Sequence, residues 1–434
     1  NAERRRRELM HTLLFLEPGH FHAALTLREA HPLVNEEFFL YAEEGPHVRA
    51  FLDLIESFNG RAERPTRWRP HVTIAADPME RLMEERRGEA VVIAGKNDSK
   101  METILRLHEA GFHVLADKPW LIAVEGLASL RLATAAAPLA MDIMTGRFEV
   151  THILPKRLTE EEEIFGTFQP PAEGGAAITM DSIHHLCKTV NGKPLLRPGW
   201  YFDVRVQGDG IVDIPCHLVD KVLWMMGGES WDFDRDVELL SARRWATAVP
   251  PAPFAKVTGA EAYPPFLSGD LHDGVLQLLC NGEFSFRLRG VPVRLRGEWR
   301  LEAPPGGGDT YQFLIHGTRA VVAVEMNAHT QFQPRVFVRP LPGEQGVGEA
   351  LRRALTGWQG EFPGLAAVPA PDGFELIIPA ALRSTHEEHF PMVLAEFLGY
   401  LEAGAWPEAL PNSLLTKYSL TARATALAQQ GEGD

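Results

Sequence analysis

The sequence predicts an α/β domain with a doubly wound parallel sheet, followed by an α+β domain with a large, mostly antiparallel open sheet. Three observations carry that expectation. From His11 to about residue 150, short apolar runs alternate with amphipathic helical stretches, the pattern of parallel strands joined by crossover helices. Beyond that point proline, glycine and tryptophan become frequent, and segments alternate apolar and polar residues between glycine turns, as antiparallel strands do. The chain has 434 residues, too many for one ordinary core. Two domains are expected, 1–150 and 151–434.

Taken in order, HTLLFLEPGHFHAALTLREA reads as a short strand, a tight glycine turn and a helix with Ala23, Ala24, Leu27 and Ala30 at helical spacing. EEFFLYAEEGP is a second strand ending on acids, residues 47 to 58 a helix, and VTIAAD a third strand. MERLMEERRG is a helix closed by its glycine. AVVIAGKND, KMETILRLHEAG and HVLAD repeat strand, helix and strand, so the first domain is expected to be of Rossmann type. In the second half, LHDGVLQLLCNGEFSFRLRGVPVRLRGEWRLEAP alternates as antiparallel strands. Late in the chain, HEEHFPMVLAEFLGYLEAG sets Phe390, Val393, Leu394, Phe397 and Leu401 on one helical face, which packs back on the body.

Composition narrows the class. Hydrophobic residues make up 45% and charged residues 23%, as in a well-packed soluble protein. A net charge of -15 repels a phosphate backbone, so no nucleic-acid partner is expected. Cys187, Cys216 and Cys280 are widely spaced, which fits a reduced compartment better than a disulfide framework or a zinc ribbon. No stretch is long and apolar enough to span a bilayer. The arginine-rich start lacks the long apolar run and small-residue cleavage site of a secretory signal. A cytoplasmic protein is expected, with export by a removed upstream signal left open.

Three constellations bear on chemistry. In HVLADKPWLIA, Pro119 cannot continue a ladder, so Asp117 and Lys118 fall at the carboxyl end of a strand. That edge is where open parallel sheets bind ligands, although a solvated ion pair beside a turn gives the same dipeptide. In LEPGHFHAAL, Gly19 takes the second glycine of a dinucleotide fingerprint, while Glu17 and His22 replace the first and third. A pyrophosphate is expected there on a helix N-terminus, with His20, Phe21 and His22 reshaping or weakening the site. Gly95 and Asn97, after the fourth strand, belong to the same expected cofactor set. Glu43 or Glu44, roughly two dozen residues past Gly19, lies where an acid binds ribose hydroxyls and disfavours a 2'-phosphate, so NAD is preferred over NADP. In GIVDIPCHLVD, His217 and Asp220 are helical neighbours, and Asp213 caps the helix or acts in the site. His217 alone reads more readily as an ordinary hydrogen-bonded core residue.

LADKPW and DIPCH resemble the E-K-P and D-x-x-x-H motifs of the glucose-fructose oxidoreductase, inositol dehydrogenase and MocA family, with Asp117 in place of the usual Glu. MDIMTGRFEVTHIL, NGKPLLRPGWYFDVRVQGDGIVDIPCHLVD and HEEHF further resemble a subgroup with a distinct oxidoreductase C-terminal domain. The resemblance spans about residues 12 to 425. It implies a Rossmann domain, an open-sheet domain, NAD(P) and a sugar, polyol or sugar-derivative substrate. Carried over by position, Lys118 contacts the nicotinamide side and the substrate hydroxyl, His217 is the acid/base, and Asp213 orients substrate or His217. Arg147 matches an arginine that follows the last Rossmann strand. A homo-oligomer is expected by the same analogy.

Asp220, Trp200, Tyr201 and His185 complete the expected substrate set; the two aromatics either stack on a sugar ring or pack in the core. His386 and His389 lack zincin spacing and read as capping and surface charge, and no metal site is assigned. APPGGGDTYQF is a hairpin or active-site loop. Two rival readings accompany the oxidoreductase: a redox-neutral NAD-dependent glycosidase or lyase acting by transient oxidation, and a non-catalytic nucleotide- or sugar-binding protein.

Overall fold

A computed structural model describes residues 10–190, 193–227 and 230–431; the arginine-rich start, and Asn191 and Gly192 of the long second-half motif, lie outside them. The chain forms two compact units. One comprises residues up to Leu121, Glu125–Thr145 and Thr385–Tyr418; the other comprises Ile122–Val124, Gly146–Ser384 and the chain from Ser419 onward.

The first unit holds a six-stranded sheet of β1 (Leu13–Leu16), β2 (Glu37–Ala42), β3 (Arg69–Ile74), β4 (Ala90–Ile93), β5 (His113–Asp117) and β6 (Ala140–Ile143). The strands are parallel and ordered β3-β2-β1-β4-β5-β6, the dinucleotide-binding order. Central β1 and β4 are buried along their whole length, hence their unbroken apolar runs. Edge strand β3 leaves Val72 and Ile74 exposed.

Local departures from the sequence pattern are informative. The helix expected through Ala30 is a single turn, His22–Leu25. Thr26 Oγ1 donates to the Ala23 carbonyl at 2.7 Å, and Leu27 and Arg28 N–H donate three residues back, to Ala24 and Leu25. The chain therefore tightens out of α geometry. Ala23, Ala24 and Leu27 are still buried, whereas Ala30 is exposed. The helix Pro78–Glu85 ends on Arg86 in the left-handed region rather than on Gly88.

The late helix is His389–Ala403 and packs in the first unit. His11 lies 2.6 Å from Glu89 and 3.0 Å from Glu402, and the Phe390 ring lies 4.6 Å from that of His22. Leu398 takes the buried position expected of Leu401. His389 is buried rather than a surface charge, and Glu388 forms the capping box with Thr385. Lys417 and the Tyr418 hydroxyl both meet Asp142 Oδ2, at 2.6 Å, and Trp120 stacks on Tyr418.

The second unit is built on a ten-stranded mixed sheet containing β7 (Ile178–Cys187), β8 (Val237–Val249), β9 (Val275–Leu288), β10 (Val291–Glu302), β11 (Thr310–His316), β12 (Ala320–Met326), β13 (Arg335–Pro340), β14 (Ala366–Ala370) and β15 (Gly373–Ile377). Their order is β8-β9-β10-β7-β11-β12-β13-β15-β14, with Leu271–His272 pairing on β9. All neighbours are antiparallel except β10 and β7. Arg289 and Gly290, both at positive φ, make the two-residue turn that suits a twisted hairpin. The helix Ile214–Met225 rests on β10 at Gly297, where a Cβ would come 2.8 Å from that of Ile214. That close approach places Asp213 beside Trp299.

Candidate functional site

In the first unit the carboxyl ends of β1, β4 and β5 gather most of the expected cofactor residues. Glu17, in the place of the fingerprint's first glycine, has φ +46°, so its backbone keeps the left-handed turn that a glycine would supply at lower cost. Its carboxylate reaches the end of β2, accepting the Glu43 N–H at 2.5 Å and lying 2.9 Å from His47 Nε2. The Glu43 and Glu44 side chains are exposed there. Glu17 is thus a third acid at the carboxyl end of β2, beside Glu43 and Glu44; its place in the fingerprint was the only sequence signal.

The turn spends its own donors. Gly19 N–H donates to the Glu17 carbonyl at 2.7 Å, and His20 N–H to the Ala94 carbonyl at 3.0 Å. A one-turn helix also carries little dipole. Two N–H groups of the turn expected to hold a pyrophosphate, on a helix of one turn, therefore already have backbone partners. Gly95 is needed because a Cβ there would lie 2.9 Å from the Glu17 carbonyl oxygen. Asn97 is buried and accepts from Lys100 Nζ at 2.5 Å, and the same ammonium donates to the Asp117 carbonyl at 3.0 Å. Buried Lys100 was not legible, since its helix position reads as a surface lysine.

Asp117 ends β5 almost fully buried. It is not a solvated partner of Lys118: its Oδ2 lies 2.9 Å from His20 Nδ1 and 3.0 Å from His22 Nδ1, and its Oδ1 accepts the Lys118 backbone N–H at 3.0 Å. Burial opposes the Asp117 charge, but His22 and His20 outweigh it and hold the carboxyl well below the usual range. Burial and neighbouring His22 draw the His20 pKa down to about 4. Phe21 is exposed beside them.

The second unit carries the other expected residues. Asp213 precedes the helix but does not cap it with its side chain; its Oδ2 accepts from Trp299 Nε1 at 2.8 Å. His217 stands one turn into the helix, partly exposed. Asp220 is buried and held by Arg147 through Nε at 2.9 Å and Nη2 at 2.7 Å, so its carboxylate is not open to substrate as expected. Tyr201 is buried, with the Arg197 guanidinium 4.5 Å from its ring centroid and 4.9 Å from that of Trp299. Its ring is a core element rather than a stacking platform, and Trp200 packs partly buried on the same cluster. His185 is likewise buried, its Nδ1 lying 3.2 Å from Asp309 Oδ1.

Asp309, from the glycine-rich loop, organises this region. Besides His185 it meets His184 Nδ1 at 3.3 Å and is ion-paired with Lys188. Burial opposes its charge, yet His184 and Lys188 hold its pKa well below the ordinary range. One turn past His217, Lys221 lines an apolar recess with His152, Met180 and Phe313, and burial draws its pKa down to about 8. Neither Asp309 nor Lys221 was singled out from sequence, because their partners lie far along the chain. Elsewhere, a wider recess lined by His31, Pro32, Glu36 and Trp68 opens at the amino edge of the parallel sheet, away from the ligand-binding edge of such folds.

A dinucleotide-type parallel sheet, with an acid-lysine pair closing β5 and a separate unit on a broad mixed sheet, defines the two-unit oxidoreductase class. Residues 154–429 match the family described as "Putative oxidoreductase C terminal domain". The chain belongs to that family. It is similar to a "putative oxidoreductase" from Parabacteroides merdae, at 36% identity and TM-score 0.94 over 98% of each chain. It shares its fold with a levoglucosan dehydrogenase in complex with NADH and levoglucosan, at 14% identity and TM-score 0.62 over 97% of each chain. The same holds for a mutant of KijD10, a 3-ketoreductase from Actinomadura kijaniata in complex with TDP-benzene and NADP, at 15% identity and TM-score 0.59 over 96% of this chain and 98% of that one. No curated protein matches the chain. Among the described residues, no helix is long and apolar enough to cross a membrane.

Proposed function

We propose that the protein is an NAD(P)-dependent oxidoreductase that moves a hydride between a hydroxyl-bearing carbon of a carbohydrate-like substrate and nicotinamide. The observation that carries this reading is the carboxyl edge of the parallel sheet, where Gly19, Asn97, Asp117 and Lys118 meet. The residues fit a dinucleotide at two points and depart from it at a third. Glu43 and Glu44 suit ribose hydroxyls and favour NAD over NADP, and Lys118 suits the nicotinamide end. Two of the loop N–H groups, those of Gly19 and His20, are already bonded within the protein.

When bound, the nicotinamide accepts or returns the hydride. His217 takes the hydroxyl proton as the alcohol becomes a carbonyl, and Lys118 stabilises the developing alkoxide. Asp213, tied to Trp299, orients His217 or the substrate, and Arg147 positions Asp220 in the same helix. A cytoplasmic homo-oligomer is part of the proposal; the three cysteines, all buried and outside any disulfide, accord with a reducing compartment.

The test is release of nucleotide from purified protein by mild denaturation, identified by mass, with calorimetric titration of the stripped protein by NAD and NADP. Co-purifying or binding nucleotide, followed by sugar-dependent NADH formation, is expected. The spent loop donors favour one second reading, a non-catalytic protein, and absence of binding by either nucleotide would establish it over the first. Bond cleavage without NADH accumulation would instead mark the redox-neutral chemistry.

A further inference from the structure

We propose that His20, His22 and Asp117 form a binding site for one divalent transition-metal ion of the zinc class. The two Nδ1 atoms and the Asp117 carboxylate lie within 4.8 Å of one another. More closely, His20 Nδ1 and His22 Nδ1 stand 2.9 and 3.0 Å from Oδ2, with His22 also 3.1 Å from Oδ1. Bond lengths of about 2.0–2.1 Å to nitrogen and oxygen place neighbouring tetrahedral ligands about 3.3 Å apart. Each nitrogen–oxygen pair therefore needs to open by only a few tenths of an ångström to receive an ion.

The donor set has the chemistry for it. Two imidazoles and one carboxylate suit zinc-class ions and give three protein ligands, the number that leaves a fourth position open. Asp117 is buried while His20 and His22 are partly exposed, so the ligands approach from the protein side and the open position faces outward. The carboxylate is fixed from behind, with Oδ1 held by the Lys118 N–H and the Asp117 carbonyl held by Lys100. Such outer contacts orient metal ligands. On the far side of His22, Phe390 packs 4.6 Å away and the His386 ring 6.1 Å away, restricting its rotation. The Lys118 charge bears on His20 and opposes the ion, which sets a limit on affinity.

An ion held here lies at the carboxyl edge of the parallel sheet, beside a helix of a single turn. It would supply charge for an anionic ligand, but the proposal concerns the ion itself and holds whether or not a nucleotide binds. Full-length protein stripped with a chelator is titrated with Zn2+ by calorimetry and with Co2+ by visible absorption, without nucleotide. One ion per chain is expected, with a dissociation constant below about 1 μM, the intense visible bands of four-coordinate cobalt, and at least a tenfold loss of affinity in His22→Ala and Asp117→Asn. Circular dichroism checks that the variants fold, and His20→Gln serves where one does not. Wild-type protein that binds neither ion, or folded variants that bind as well as wild type, would overturn the proposal.

Discussion

The Arg147 guanidinium grips Asp220 through two parallel contacts of 2.9 and 2.7 Å. This pair joins the turn Gly146–Phe148 to the helix that carries His217. Two planar groups meeting side on fix orientation as well as distance. Asp220→Ala leaves that guanidinium without this partner while it remains partly hydrated. A loss of about 2–3 kcal/mol is expected, at the lower end for breaking a buried pair, and urea unfolding measures it. Lys in place of Arg147 should recover only part of the stability, since an ammonium cannot make both contacts.

Glu17→Gly tests whether the acid guards the ribose position. The substitution removes positive-φ strain of about 1 kcal/mol and gives up the contacts to Glu43 N–H and His47. Global stability is therefore expected to change by less than about 1 kcal/mol. Under the proposed function, clearing the carboxylate tightens NAD binding about five- to tenfold, near 1–1.4 kcal/mol. A calorimetric titration showing weaker binding would make Glu17 a nucleotide contact instead.

Lys221 gives the stability a pH dependence of definite sign. Its pKa is about 8 in the folded protein and near 10.4 when unfolded. Between these values the unfolded chain binds the extra proton, so this residue's contribution rises with pH. Below pH 8 the full cost of burying the ammonium is present. Lys221→Met is expected to stabilise the protein by about 2 kcal/mol at pH 7, and the gain should shrink as pH rises from 8 to above 10. Parallel chemical unfolding of the two proteins across that range is the measurement; a constant difference would show that burial of the charge is not the cause.

Lys118→Ala and His217→Ala separate the two halves of the proposed reaction. Each should lower turnover by about 10²–10⁴-fold with the fold retained, and only the His217 variant should lose the acidic limb of the pH-rate profile. Full activity in both variants would remove this mechanism.

The parallel sheet was legible because its strands bury both faces and so carry unbroken apolar runs, as Leu13–Leu16 and Ala90–Ile93 do. The antiparallel sheet was legible from alternation and turns such as Arg289-Gly290. Helix length after the first strand was not, because Thr26 reclaims a carbonyl that the periodicity of Ala23, Ala24 and Leu27 assigns to the helix. In the candidate sites, residue types were readable but pairings were not. Asp117 meets His20 and His22 across nearly a hundred residues, and Asp220 meets Arg147 across more than seventy. Tyr201 and His185 read as substrate candidates because nothing local announces Arg197 above one ring or Asp309 beside the other.

The return of Thr385–Tyr418 to the first unit has a bearing on biosynthesis. Ribosomes release this chain from its amino end, and domains usually fold as their own segment emerges. Here the parallel sheet emerges early, but its partners Phe390, Lys417 and Tyr418 arrive about 250 to 275 residues after β6. The first unit must wait, incomplete, while Gly146–Ser384, most of the second unit, is translated. A fragment ending near residue 150 would keep that waiting state permanently, with Trp120, Asp142 and His22 lacking the groups that cover them.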